Sequence, residues 1–325
     1  MPLVDKPLPE LFEYRGRNPR PDDFDAYWDA ALAELKATDP KAETQRNSLL
    51  TTQQTECFDL WFTGVGGARI YAKYIRPKSA ANAANGKRPA VLQFHGYSGH
   101  TGDWLDKFGW AAEGFCYAAM DARGQGGRSE DNAQVKGTTQ RGHIIRGLDD
   151  PDARKLAFRQ IFLDTAQLAR VVMNFPEVDE NRVGCFGISQ GGALSLACAA
   201  LEPRIKRAAP VYPFLCDYQR VWELDYAREA YEELRLYFRF HDPRHERVKE
   251  TFTKLGYIDV QHLAPRVRAE VLMFTGLMDT ICPPSSQFAA YNKITTKKDV
   301  VIYPDFTHEV LPGQIDRTFN FMRGL

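Results

Sequence analysis

The residues best placed to do chemistry lie in Val183-Gly184-Cys185-Phe186-Gly187-Ile188-Ser189-Gln190-Gly191-Gly192. A short apolar run meets a Gly-x-Ser-x-Gly turn and passes into a small-residue run that reads as a helix. Strand, tight turn and helix together present a serine on a strained backbone. A Cβ at Gly187 or Gly191 would collide with the neighbouring strand or helix, so both positions call for glycine. Ser189 would stand at the helix N-terminus, where backbone N–H groups and the helix dipole favour a developing oxyanion. A Gly/Ser turn without chemistry has the same local pattern, so the rest of the chain must discriminate.

A serine hydroxyl is a poor nucleophile until a base takes its proton, and the base needs a third group to orient it. On a sheet that presents its serine in this way the chain order is serine, acid, histidine. Asp279 follows one apolar strand pattern and His308 follows the last. His95, His100 and His143 precede Ser189; His241, His245 and His262 precede Asp279. That leaves His308 as the base, with Asp305 on the same loop as the alternative acid. Two N–H donors should hold the oxyanion: Gln190, next to the serine, and Tyr97, in the loop after His95-Gly96. His95 is expected to brace that loop by hydrogen bonding. Phe214 and Ile281 each follow a strand end, where bulky side chains would close a small acyl pocket; core packing is their other reading. There is no H-E-x-x-H, and no Cys/His cluster has ligand spacing, so a metal is not expected. Gly124, Gly126 and Gly127 make no dinucleotide fingerprint and are expected to shape a turn beneath the site.

These residues need elements to carry them. Residues 1–20 are rich in Pro, Arg and Gly and should lie extended on the surface. Pro21-Asp22-Asp23 opens a helix whose Phe24, Tyr27, Trp28, Ala31, Leu32 and Leu35 recur at helical spacing. Strands are expected over 56–62 and 69–75, joined by a Gly-rich hairpin, then over 90–94, 115–120, 208–212, 270–275 and 300–303. Helical patterns cover 104–113, 156–175, 283–291 and the C-terminus. Residues 128–153 read as irregular. Residues 216–262 hold helical patterns dense in Tyr, Arg, Glu and Phe with no strand between them, as expected of an insertion over one sheet end. Strand–helix alternation with apolar interior strands predicts an α/β fold: one doubly wound, mostly parallel sheet with antiparallel N-terminal strands. With no repeat or linker in sight, residues 1–325 are expected to form a single domain.

Composition agrees. The chain has 325 residues, with Lys+Arg and Asp+Glu balanced at 42 each, which gives no electrostatic case for nucleic acid or an anionic membrane. No stretch approaches about 18 apolar residues, and the first residues lack a basic-then-apolar signal, so a cytoplasmic protein is expected. None of the six cysteines forms a C-x-x-C pair, and reduced, buried thiols are expected.

Several motifs now coincide: His95-Gly96-Tyr97, Arg123-Gly124-Gln125-Gly126, the Ser189 turn, Pro213-Phe214-Leu215-Cys216-Asp217, Gly276-Leu277-Met278-Asp279 with Pro283-Pro284-Ser285, and His308-Glu309. Together, from about Asp22 to the C-terminus, they resemble the acetyl xylan esterase / cephalosporin-C deacetylase family (carbohydrate esterase family seven). The resemblance implies an α/β hydrolase fold and no cofactor. It implies deacetylation of small acetyl esters, including acetylated xylo-oligosaccharides and cephalosporin C, and a cytoplasmic, ring-like homo-hexamer. It also implies Ser189, Asp279 and His308 as a triad, with Tyr97 and Gln190 as backbone oxyanion donors. Two departures stand out. Ile188 occupies a position where that family usually has Gly, and the stretch Lys155–Phe158 lacks the family's run of aromatics. The competing readings are a serine peptidase of the prolyl-oligopeptidase type, for which residues 1–88 are too few to build the usual propeller, and a non-catalytic hydrolase-like binding protein.

Overall fold

The computed structural model describes residues 4–50, 52–79, 85–140, 142–226 and 228–325. Among them runs a nine-stranded sheet. Its strands are β1 (Glu43–Arg46), β2 (Thr55–Thr63), β3 (Arg69–Pro77), β4 (Arg88–Phe94), β5 (Cys116–Met120), β6 (Val178–Ile188), β7 (Arg207–Val211), β8 (Glu270–Gly276) and β9 (Lys298–Tyr303). The order across the sheet is β1-β2-β3-β5-β4-β6-β7-β8-β9. The pairings from β1 through β3 to β5 are antiparallel, and all those from β5 to β9 are parallel.

The uniformly apolar interior strands have the expected cause, because both sheet faces are covered. Alternate side chains of one strand enter opposite layers. Leu92 and Cys185 join a core with the helices Ala157–Met173 and Gln190–Leu201. Their neighbours Val91 and Phe186 join a second core with Trp110 and Met322. The helix Gln190–Leu201 is buried along its whole length. Its Gly and Ala residues let it lie close over the sheet.

Three expectations on local structure need correction. Residues 8–13 form a helix rather than extended surface chain. Leu11 from that helix is buried in a cluster with Phe288 and Tyr291, a tertiary gain that composition does not reveal. The following segment is fastened by Asp217, which accepts from the Tyr14 hydroxyl at 2.7 Å and from the Asn18 N–H at 2.7 Å. The helix expected over 104–113 is a single 3-10 turn, Leu105–Lys107, followed by a short helix, Phe108–Ala112. The strand β1 escaped the sequence reading because its Glu-Thr-Gln-Arg is exposed throughout and has no apolar alternation; pairing with β2 makes it a strand.

Between β7 and β8 come the helices Tyr218–Glu223, Glu232–His241, Val248–Leu255 and Val260–Leu263, the first three packed on one another through Trp222, Phe238 and Phe252. All six cysteines are buried and unpaired. Among the described residues no helix is long and apolar enough to cross a membrane.

The Arg-Gly-Gln turn after β5 is anchored by a buried ion pair. Arg123 donates through Nε and a terminal nitrogen to the two oxygens of Asp164, both at 2.6 Å, with side chains 4% and 0% exposed. Gly64 makes room for the pair, since a Cβ there would lie 2.2 Å from Asp164 Oδ1. Removing one partner strands a buried charge, so Asp164→Ala should lower the unfolding free energy by about 3–5 kcal/mol. Urea unfolding measures this, and a loss below about 1 kcal/mol would contradict the anchoring role.

Candidate active site

Ser189 caps the end of β6 with φ 59° and ψ −116°, a left-handed backbone rare outside glycine. Neighbouring backbone holds it there. Its N–H donates to Val211 O at 2.9 Å, and its carbonyl accepts from Ala193 N and Phe214 N, both at 3.1 Å. The flanking glycines are steric requirements, as expected. A Cβ at Gly191 would stand 2.0 Å from Phe94 O, and one at Gly187 would stand 2.4 Å from the carbonyl carbon of Gly191. The helix therefore begins in backbone contact with β4. Ile188 stays 41% exposed beside a serine that is 8% exposed.

Asp279 and His308 are brought together by the loops that leave β8 and β9. Leu277 N donates to Tyr303 O, and Met278 N to Phe306 O, each at 3.0 Å. A Cβ at Gly276 would lie 2.4 Å from Phe306 O, so the two chains meet closely only because residue 276 is glycine. Asp279 is fully buried. Its Oδ1 accepts from Ile281 N at 2.9 Å and Cys282 N at 2.8 Å, which fixes the carboxylate plane. Its Oδ2 lies 2.8 Å from His308 Nδ1, and His308 Nε2 lies 3.0 Å from Ser189 Oγ. A carboxylate on Nδ1 assigns the proton to that nitrogen and leaves Nε2 free to accept from the serine. Asp305, the alternative acid, is exposed, and His308 bonds to Asp279 instead. Glu309 folds the histidine's loop by accepting from Thr307 N and Oγ1 at 3.0 and 2.8 Å.

Gln190 is the first residue of its helix, where N–H groups have no intrahelical partner. Tyr97 lies in the loop after β4. That loop is braced by His95, whose Nε2 accepts from Ala122 N at 2.9 Å while Nδ1 donates to Gly96 O at 2.7 Å. Both bonds need the neutral ring, and burial lowers its pKa to match. Two partners were not singled out from sequence. The Gln125 and Gln190 side-chain amides bond each other reciprocally, at 2.8 and 2.9 Å, and Gln125 Oε1 also accepts from Ser98 N at 3.0 Å. A glutamine in each of two motifs was the available signal. Glu233, from the helix Glu232–His241, accepts from the Tyr97 hydroxyl at 2.7 Å; nothing in the local sequence marks it.

Phe214 has no exposed surface. Its ring packs between Tyr97 at 5.4 Å and Tyr231 at 4.3 Å, so it backs the site, whereas Ile281 is half-buried. Asp279, Cys282 and His308 place three potential ligand atoms within 4.8 Å of one another. The set suits hydrogen bonding better than a cation. Both Asp279 oxygens already take N–H groups, and burial pushes the Cys282 thiol up, towards its protonated form.

A serine hydroxyl, an imidazole and a carboxylate thus stand in one hydrogen-bonded line at the carboxyl edge of a parallel sheet, beside the start of a helix. The acetyl xylan esterase (AXE1) family model matches residues 1–325. A crystal structure of acetyl xylan esterase 1 from Thermoanaerobacterium sp. JW/SL YS485 is 58% identical, with TM-score 0.94 and 98% of each chain covered. An acetyl xylan esterase from Paenibacillus sp. R4 is 34% identical, with TM-score 0.92 over 98% of this chain and 99% of that one. Acetyl esterase Axe7A of Xylanibacter ruminicola is 29% identical over 310 residues, which take in 92% of this chain and 66% of that protein, so the chain spans about two thirds of that relative's length. An acylaminoacyl peptidase of Pyrococcus horikoshii, 18% identical with TM-score 0.53 over 89% of this chain and 42% of its own, shares the fold alone. The chain belongs to the acetyl xylan esterase family, carboxylic ester hydrolases built on the α/β hydrolase fold.

Proposed function

We propose that this protein is a serine acetylesterase that removes acetyl groups from small acetylated substrates through an acetyl-enzyme. The unbroken line of Ser189, His308 and Asp279, at 3.0 and 2.8 Å, carries the reading. His308 Nε2 takes the Ser189 proton as Oγ attacks the acetyl carbonyl, while Asp279 stabilises the imidazolium that forms. The carbonyl oxygen, now an oxyanion, is held by the Tyr97 and Gln190 N–H groups. His308 returns the proton to the leaving alkoxide, and the C–O bond to it breaks. Water, deprotonated by His308, then attacks the acetyl-serine; the bond from the acetyl carbon to Ser189 Oγ breaks, His308 returns the proton to Oγ, and acetate leaves. Each proton and each charge has a partner among these residues, so the reading calls for no cofactor.

Acetylated xylo-oligosaccharides fit the substrate class named for the relatives. Cephalosporin C, with its acetyl ester, falls within the same chemistry. The proposal takes residues 1–325 as one domain with an insertion near 216–262, acting in the cytoplasm as a homo-hexamer.

Replacing Ser189 with Ala should reduce kcat on p-nitrophenyl acetate by roughly 10⁴- to 10⁶-fold. Undiminished turnover in the folded variant would defeat the mechanism. A fluorophosphonate should label wild type at Ser189, as it would not label a non-catalytic relative, and a peptide p-nitroanilide should be a poor substrate, against the peptidase reading. Ile281, half-buried beside Asp279, is taken as a wall of the acyl pocket, with Phe214 supporting it from behind Tyr97. In a series from acetate to octanoate wild type should prefer acetate. Ile281→Ala should shift the ratio of kcat/KM towards butyrate by roughly 10- to 100-fold, the scale of one or two methylenes. A wild-type preference for octanoate would refute the closed pocket.

A further inference from the structure

We infer that Glu233, on the helical insertion, is a positioning residue for the oxyanion site, acting through the phenol of Tyr97. The inference rests on the acyl-transfer reading above, with the Tyr97 N–H as one oxyanion donor.

Glu233 is a carboxyl group with 2% of its surface exposed, on the helix Glu232–His241. Burying such a group is costly unless its oxygens are engaged. Here both are engaged outside the insertion: Oε1 accepts from the Tyr97 hydroxyl at 2.7 Å, and Oε2 accepts from Ile145 N at 3.2 Å. The same hydroxyl accepts from His143 N at 3.0 Å, so the phenol is used as donor and acceptor at once. The chain around it is shaped to the pair. A Cβ on Gly142 would lie 1.5 Å from Tyr97 Oη and 2.4 Å from Glu233 Oε1. Three segments far apart in sequence therefore converge on one tyrosine hydroxyl.

The backbone of Tyr97 is held at its other end. Gly96 O accepts a hydrogen bond from His95 Nδ1, and Ser98 N donates to Gln125 Oε1. The peptides on either side are pinned, while the ring is pinned by Glu233 and by packing on Phe214. Together these leave the Tyr97 N–H little freedom of direction. An oxyanion donor contributes in proportion to how well it is aimed before charge develops, because no reorganisation is then needed during the reaction. Releasing the ring should therefore weaken transition-state binding more than substrate binding.

Three variants separate this role from a merely structural tie. Tyr97→Phe keeps the ring and the N–H but removes the tether. Glu233→Gln keeps the shape but turns an amide N–H₂ towards a donor. Gly142→Ala keeps both partners and forces them apart. Each should lower kcat on p-nitrophenyl acetate by roughly 10- to 100-fold, a part of what losing a whole oxyanion donor costs, with KM within about twofold of wild type. Affinity for methylboronic acid, whose tetrahedral adduct on Ser189 puts an oxygen in the oxyanion site, should fall in parallel. Tyr97→Phe together with Glu233→Gln should be no worse than the poorer single variant, since both break one link. If Tyr97→Phe and Gly142→Ala keep kcat and boronate affinity near wild type, the inference is wrong, even should Glu233→Gln fail to fold. A rise in KM at constant kcat overturns it equally. Ser189→Ala in the same assay distinguishes the two levels. Turnover surviving there removes the acyl-transfer reading and this inference with it, whereas turnover lost there but intact in the tether variants removes the positioning role alone.

Discussion

The site depends on how closely backbone approaches backbone at the carboxyl ends of β4, β6, β8 and β9. Ser189 holds its left-handed conformation because the helix behind it starts against the Phe94 carbonyl, a separation that admits no side chain at Gly191. His308 reaches Asp279 because the loops after β8 and β9 are hydrogen-bonded edge to edge, with Gly276 again leaving the space. The strain in the serine's backbone is thus sustained by contacts that involve no reacting atom. That is how a marginally stable chain keeps a strained residue in place.

A second tier of interactions aims the first. The neutral ring of His95 joins the loops after β4 and β5. The reciprocal amide pair of Gln125 and Gln190 joins the Arg-Gly-Gln turn to the residue after the serine. The buried Arg123–Asp164 pair holds that turn to the helix Ala157–Met173. Motifs that sit far apart along the chain are consequently parts of one hydrogen-bonded assembly, which accounts for their joint presence. Preorganised donors of this kind supply much of the rate enhancement expected of a serine hydrolase.

The helices between β7 and β8 are tied to the rest of the molecule from two sides. Glu233 reaches Tyr97, and Asp217, at their start, takes the Tyr14 hydroxyl and the N–H groups of Arg17 and Asn18. The N-terminal segment and the β4 loop are therefore each held to these helices by buried or part-buried polar contacts. Such contacts are costly to break one at a time, because each loss leaves a partner unsatisfied.

What the sequence by itself determined is local or ordinal. The small residues around Ser189 specify the turn, because only glycine tolerates that approach. The order of Ser189, Asp279 and His308, each just past the end of a strand, selects the three residues that the fold brings together. The alternation of apolar runs sets the parallel sheet, because a strand covered on both faces has no polar side to show. Tertiary structure decided the remainder. The strand Glu43–Arg46 exists only through pairing with β2, and the buried Leu11 turns a Pro-rich arm into a helix. The partners Gln125–Gln190, Tyr97–Glu233 and Tyr14–Asp217 lie 65, 136 and 203 residues apart. No spacing rule reaches that far. Whether two such side chains meet depends on how the intervening elements pack, and the physical reason for the pairing, a buried polar atom in need of a partner, arises only once the chain has folded.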